Sequence, residues 1–312
     1  MKALRFKLKS SMVSPIRDSQ YSNCRSISSC DGTESYQFKP PVEYHGLSHS
    51  VPPWKMLVSD SRFKMIPILP DSPKHLRQKA KEYMLTSFYQ EAPIPIALGL
   101  NERLSKGCKE TSKYIDEEMD AHLDSGVSIV VVHNTDSPKP QKIVACGYSK
   151  IWERNEKYVI DQATDVETWH NLAALKASQN KDSTAGILEW RSLQTLHIYN
   201  LGQKLLSLST KRYALYFAML HIHPSARSCG ISSQSILSTM LKEFDIDECL
   251  VYAQSNFPGF DKVIYNLFPS PIIVDKVLYK DEKLMIDDKR CFEKIDNLNG
   301  LTFFAELFGS QI

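Results

Sequence analysis

Arg227-Ser-Cys-Gly230-Ile-Ser232 follows an apolar run, Tyr213 to Ile222, that closes in His223-Pro224, and it precedes a helix-patterned segment from Ser233 to Phe244. A strand, a turn with one glycine and a helix N-terminus together present backbone N–H groups to an anion. The first turn of a helix has unpaired donors and a partial positive charge from the macrodipole, so a phosphate docks there readily. Gly230 permits a close backbone approach or a positive φ, and Arg227 adds a charge-assisted hydrogen bond. The plain alternative is an ordinary strand-to-helix loop. His221 and His223 bring imidazoles that titrate near neutral pH, and at a spacing of two on a strand they share one face. His223 is expected to order the turn before Pro224, leaving His221 as a candidate base. No third His, Cys or carboxylate stands at a metal-ligand spacing, so no metal site is expected.

The elements that must position these residues follow from periodicity. Phe63 to Leu69 is a strand with Pro67 marking it as an edge or a bulge. Asp71-Ser72-Pro73 starts a helix by a capping side chain and an early proline. Leu76, Ala80, Tyr83, Met84, Ser87 and Phe88 give that helix one buried face, and Pro93 stops it. Leu100, Leu104, Cys108, Thr111, Ile115, Met119 and Leu123 predict a single second helix, ended by a left-handed cap at Gly126. Val127 to His133 and Lys142 to Ile151 form a hairpin. Helices are expected at 164–180 and 187–208, separated by a polar loop. The run Tyr213 to Ile222 is a strand, followed by the glycine turn, the helix from Ser233 to Phe244, a strand at Cys249 to Ala253, a short helix near Phe260 to Leu267, and strands at Ile272 to Tyr279 and Leu301 to Phe308.

Within 312 residues, residues 1–57 read as a disordered extension, basic and acid-free over the first seventeen, and 58–312 as the folded domain. A basic start of that kind suits either a solvated tail in a cytoplasmic protein or a mitochondrial transit peptide. The net charge of +2 gives no reason to expect nucleic acid as the main partner, and no apolar run is long enough to span a membrane. Seven scattered cysteines without paired spacing point to a reducing compartment and free thiols. The expectation is a monomer.

The turn resembles the pyrophosphate-binding motif of the GNAT superfamily of acetyl-CoA-dependent N-acetyltransferases. Arg227 and Gly230 match, Ser232 stands where Gly or Ala is usual, and Leu220-His-Ile-His223-Pro-Ser-Ala-Arg227 is similar to the family's lead-in. The resemblance implies an α/β (α+β) fold: a mixed, mostly antiparallel central sheet flanked by helices, with splayed fourth and fifth strands between which the pantetheine arm lies. It implies that backbone groups of Leu220 and Ile222 bind that arm. The amides of Arg227, Ser228, Cys229, Gly230, Ile231, Ser232 and Ser233 would then hold the pyrophosphate of acetyl-CoA, the acyl donor. Cys229 is expected to be a turn residue, since GNAT transfer is direct.

Ser87-Phe-Tyr-Gln-Glu91-Ala-Pro93, with Leu98-Gly-Leu100 after it, is similar to a segment of the invertebrate arylalkylamine branch, including the dopamine type. There the acid directly before the proline is the general base. Here Ala92 holds that position and Glu91 the one before it, so the resemblance makes Glu91 a base candidate beside His221. Ser255 matches a family serine near the thiolate. Tyr265 falls in the helix where many GNAT enzymes place the tyrosine that protonates it, although Leu267-Phe-Pro269 replaces the usual closing motif. The implied function is transfer of acetyl to the primary amine of a small molecule. The alternative is an acyl-CoA-binding protein with weak or no transferase activity.

Overall fold

The computed structural model describes residues 42–44, 54–55, 62–133, 141–155, 173–180, 182–208, 212–244, 249–251, 283–286 and 289–293. The strands are β1 (Val42–Tyr44), β2 (Trp54–Lys55), β3 (Phe63–Ile68), β4 (Ser128–His133), β5 (Gln141–Glu153), β6 (Tyr213–Ile222), β7 (Cys249–Val251), β8 (Met285–Ile286) and β9 (Lys289–Arg290). The main sheet runs β2-β3-β4-β5-β6-β7, with β1 along the start of β5, and β8 and β9 pair separately. Every pair in the main sheet is antiparallel except β6–β7. This is the mixed, mostly antiparallel sheet expected from the resemblance. It begins inside the stretch 1–57 assigned to an extension. There β1 and β2 join by main-chain pairing, which needs no side-chain periodicity to hold it.

The helices are α1 (Lys74–Thr86), α2 (Phe88–Glu91), α3 (Pro93–Ala97), α4 (Leu100–Ser105), α5 (Lys109–Leu123), α6 (173–178), α7 (Ser183–Leu208), α8 (Pro224–Arg227) and α9 (Ser233–Phe244). The stripe on α1 buries Leu76, Ala80, Tyr83 and Met84 against one face of the sheet, together with Ile115 and Met119 of α5 and Trp190 of α7. Ile236, Leu237 and Met240 of α9 cover the other face through Leu215, Phe217 and Ile222. One face therefore carries α1, α5 and α7, and the opposite face carries α9.

Several boundaries depart from the sequence reading. The expected helix 100–123 is two helices, because Gly107 takes φ +72° and breaks the chain between α4 and α5. Helix α1 starts at Lys74 without a side-chain cap; Ser72 instead accepts the Leu69 N–H at 2.8 Å, bracing the turn ahead of the helix. Helix α7 starts at Ser183, four residues before the expected 187. Asp182 Oδ1 accepts the Thr184 N–H at 2.8 Å, so a polar stretch read as loop is a capped helix start. The expected elements at 260–267, 272–279 and 301–308 lie outside the described residues.

Two β-bulges interrupt the ladder. Pairing of β4 with β5 steps from Val131↔Ala145 to Val132↔Ile143, which makes Val144 an extra residue in β5. Pairing of β5 with β6 steps from Tyr148↔Met219 to Ser149↔Phe217, which makes Ala218 an extra residue in β6. Bulges bend and twist the strand that carries them. The described parallel pairing of β7 covers Leu215 to Phe217 and stops at the bulge.

Candidate active site

Beyond Phe217, β6 has one edge on β5 and no described partner on the other. His223 N–H donates to Val144 O at 2.8 Å. Ile222↔Ala145 and Leu220↔Gly147 are therefore the non-hydrogen-bonded pairs of the ladder, and both β6 residues turn their main-chain groups to the edge away from β5. One of these groups is taken: Arg227 Nε donates to Ile222 O at 2.8 Å. The guanidinium of Arg227 is thus tied to the end of the strand.

The chain then turns through α8. His223 does not share a strand face with His221, because β6 ends at Ile222. It is the N-cap of α8, its Nδ1 accepting the Ser225 N–H at 3.3 Å. The row of amides expected to be open is mostly engaged within the turn. Arg227 donates to His223 O, Ser228 to Pro224 O, Cys229 and Ile231 to Ala226 O, and Gly230 to Arg227 O. The Ser232 N–H meets Ser235 Oγ at 3.1 Å while Ser232 Oγ accepts the Ser235 N–H at 3.1 Å. Ser232, where a Gly or Ala was expected, is thereby the reciprocal cap of α9. Among the described residues, the amides of Ser233 and Gln234 at the head of α9 are left without an acceptor, and the helix dipole adds its positive end there. The donor row is narrower than the sequence implied because a rolled turn satisfies its own N–H groups. Gly230 has φ +88°, and a methyl group built on it would meet nothing within 4 Å, so its role is conformational. The Ile231 side chain is buried, and Cys229 Sγ lies 3.4 Å from Ser225 O.

On the opposite face of the sheet, residues far apart in sequence meet. Glu91 closes the short helix α2, which Ser87 begins and Pro93 follows. Its Oε2 is 2.9 Å from His221 Nε2, with the imidazole 6% exposed and the carboxylate 24% exposed. The two base candidates are therefore one pair, with the carboxylate outermost. His221 Nδ1 is 2.9 Å from the hydroxyl of Tyr83 on α1, which is also 3.0 Å from Val144 O. Burial holds the Tyr83 hydroxyl well above its ordinary pKa, so it stays protonated. Tyr83 was legible only as one member of an apolar helical stripe; nothing in its spacing marks a hydrogen-bonding role.

A second network fixes α2. The hydroxyl of Tyr89, two residues before Glu91, donates to Glu118 Oε2 on α5 at 2.9 Å, and Arg191 of α7 holds Glu118 Oε1 at 2.7 Å. Three helices are tied at one carboxylate, and Glu91 is positioned from that anchor. Ser255 and Tyr265 lie outside the described residues. Among the described residues no cluster of three metal-ligating side chains occurs, and no helix is long and apolar enough to cross a membrane.

No protein-family model matches the chain, and no curated protein matches it either. Solved structures with a similar outline exist. One is arylalkylamine N-acetyltransferase 2 of Aedes aegypti, at 14% identity and TM-score 0.48, covering 78% of this chain and 96% of that one. A mosquito arylalkylamine N-acetyltransferase like 5b gives 12% identity and TM-score 0.46, over 78% of this chain and 98% of that one. The Drosophila melanogaster polyamine N-acetyltransferase gives 11% identity and TM-score 0.42, over 78% and 95%. At these values the likeness is one of outline, and no residue role is carried over from it.

Proposed function

We propose that the chain is an N-acetyltransferase that moves acetyl from acetyl-CoA to the primary amine of a small molecule, with arylalkylamines as the first acceptor class to test. The observation that carries this reading is the Glu91–His221 pair on the strand whose outer edge leads to the head of α9. A donor and a base are thereby offered at the two ends of Leu220–His223. The diphosphate would sit at the Ser233 and Gln234 amides with Arg227 beside it. The pantetheine amides would pair with the outward main-chain groups of Leu220 and Ile222.

The amine nitrogen attacks the thioester carbon, the N–C bond forms and the C–S bond breaks, and coenzyme A leaves as thiolate. The proton lost by the amine passes to Glu91, whose carboxylate faces outward, with His221 behind it to share the charge. A positioned base of this kind contributes about 10²–10⁴ in rate. Ser255 and Tyr265 keep their proposed places near the thiolate, on the resemblance alone.

The test is thiol release from acetyl-CoA across a panel of arylalkylamines and polyamines. We expect turnover, and we expect Glu91→Gln to lower kcat by about 10²-fold or more with acetyl-CoA affinity unchanged. Binding of acetyl-CoA without thiol release at any pH would replace the transferase by an acyl-CoA-binding protein. No binding at all would end both readings.

A further inference from the structure

We infer that Tyr83 is the positioning residue that lets the Glu91–His221 pair gain and lose a proton while the buried imidazole keeps both of its hydrogen bonds. The inference rests on the proposed acetyl transfer only for its catalytic consequence.

Tyr83 has one hydroxyl hydrogen and two acceptors in reach, Val144 O at 3.0 Å and His221 Nδ1 at 2.9 Å, and the His223 main-chain N–H also faces its oxygen. If the hydrogen goes to Val144 O, the phenol oxygen can only accept from Nδ1, so Nδ1 must carry a proton. The 2.9 Å contact of Nε2 with Glu91 then needs a second proton, which makes the pair imidazolium and carboxylate. When that proton leaves, the hydroxyl rotates to donate to Nδ1, and Nε2–H donates to Glu91. Val144 O loses Tyr83 but keeps the His223 N–H at 2.8 Å, so no buried carbonyl is orphaned. The hydroxyl is a two-position rotor with a satisfied arrangement at each stop.

The surroundings leave the proton to this chain. Facing His221 and Tyr83 among the described residues are Glu91 of α2, Cys146 of β5, which lies directly across the ladder from His221, and Arg227 of α8. Tyr89 of α2 is committed to Glu118. Burial keeps the Cys146 thiol protonated and therefore neutral. Arg227 brings a guanidinium to the same neighbourhood, tied through Nε to Ile222 O.

Removing the rotor with Tyr83→Phe leaves Nδ1 unpaired in both states, and the loss is greater for the charged one, where a hydrogen bond is worth more. We expect the protonation midpoint of His221, followed by imidazole NMR, to fall by about one pH unit, which is about tenfold in proton affinity. The acid limb of kcat/KM should move down with it. Wild-type protein supplies a second readout that needs no variant: above the midpoint, neutral His221 carries its hydrogen on Nε2. A midpoint unmoved by Tyr83→Phe, or a neutral form protonated on Nδ1, overturns the assignment. Titration as stated without thiol release would refute the transferase and still support the role of Tyr83.

Discussion

Gly230 is the residue whose substitution separates conformation from contact. Its φ of +88° costs a side-chain-bearing residue about 1–2 kcal/mol, while the space around it is open. Gly230→Ala is therefore expected to lower unfolding stability by about that amount in urea titrations and to leave acetyl-CoA affinity within a few-fold. Gly230→Asp adds a negative charge beside the amides of Ser233 and Gln234 and should abolish affinity; unchanged binding would place the diphosphate elsewhere. At this scale the sequence was informative where chemistry is local. A glycine turn beside an arginine can be read from six letters, and the expectation that His223 orders the turn before Pro224 agrees with its place as the N-cap of α8. Glu91 and His221 lie 130 positions apart, and only the packing of α2 on β6 makes them one unit. The same holds for Tyr83, whose hydroxyl is invisible in a helical stripe that packing alone explains.

At the scale of elements, α2 is a single turn, too short to hold its own geometry by helix propensity. Its orientation comes from Tyr89, Glu118 and Arg191. Glu118→Ala leaves the Arg191 guanidinium, 12% exposed, without the carboxylate that holds it. We expect a loss of about 3 kcal/mol in stability, the lower end for breaking a shielded pair because some solvent reaches it. Turnover should fall with it, since Glu91 loses its anchor. A Glu118→Ala protein with wild-type stability and kcat would show that α2 is held some other way. The limits of β6 and α9 were legible to the residue because an apolar run and a polar start punctuate both. The split between α4 and α5 was not, since the apolar spacing continues through Gly107 and only its positive φ breaks the helix. The bulges at Val144 and Ala218 leave no sequence signature; they emerge from register between strands.

For the molecule as a whole, buried titratable groups set a window of stability. Burial raises the pKa of the Cys146 thiol and of the Tyr83, Tyr89, Tyr114, Tyr148 and Tyr216 hydroxyls above the ordinary 9.0 and 10.0. The native state then keeps protons that the unfolded chain releases, so this stability is complete below those ordinary values and is lost as pH rises past them. His122 is the opposite case: burial holds its imidazole well below the ordinary 6.5. The unfolded chain takes up a proton that the native state refuses, so its share is complete above 6.5 and is lost as pH falls. Denaturant titrations should give greatest stability between about pH 6.5 and 9, falling on both sides. A profile that keeps rising past pH 10 would contradict the burial of these hydroxyls. The succession of strands β3 to β7 along the chain was legible because apolar runs and turns define them, whereas β1 and β2 carry too few residues for any periodicity.

One oxygen, that of Val144, receives both the main-chain hydrogen of His223, at the doorway to the glycine turn, and the hydroxyl of Tyr83, at the back of the base. The end of β6 and the back of the base therefore share one acceptor, and a ligand that drew the His223 N–H away would leave that lone pair to Tyr83. On the proposed reading, the turn that would hold the nucleotide and the imidazole behind the base are joined through a single carbonyl.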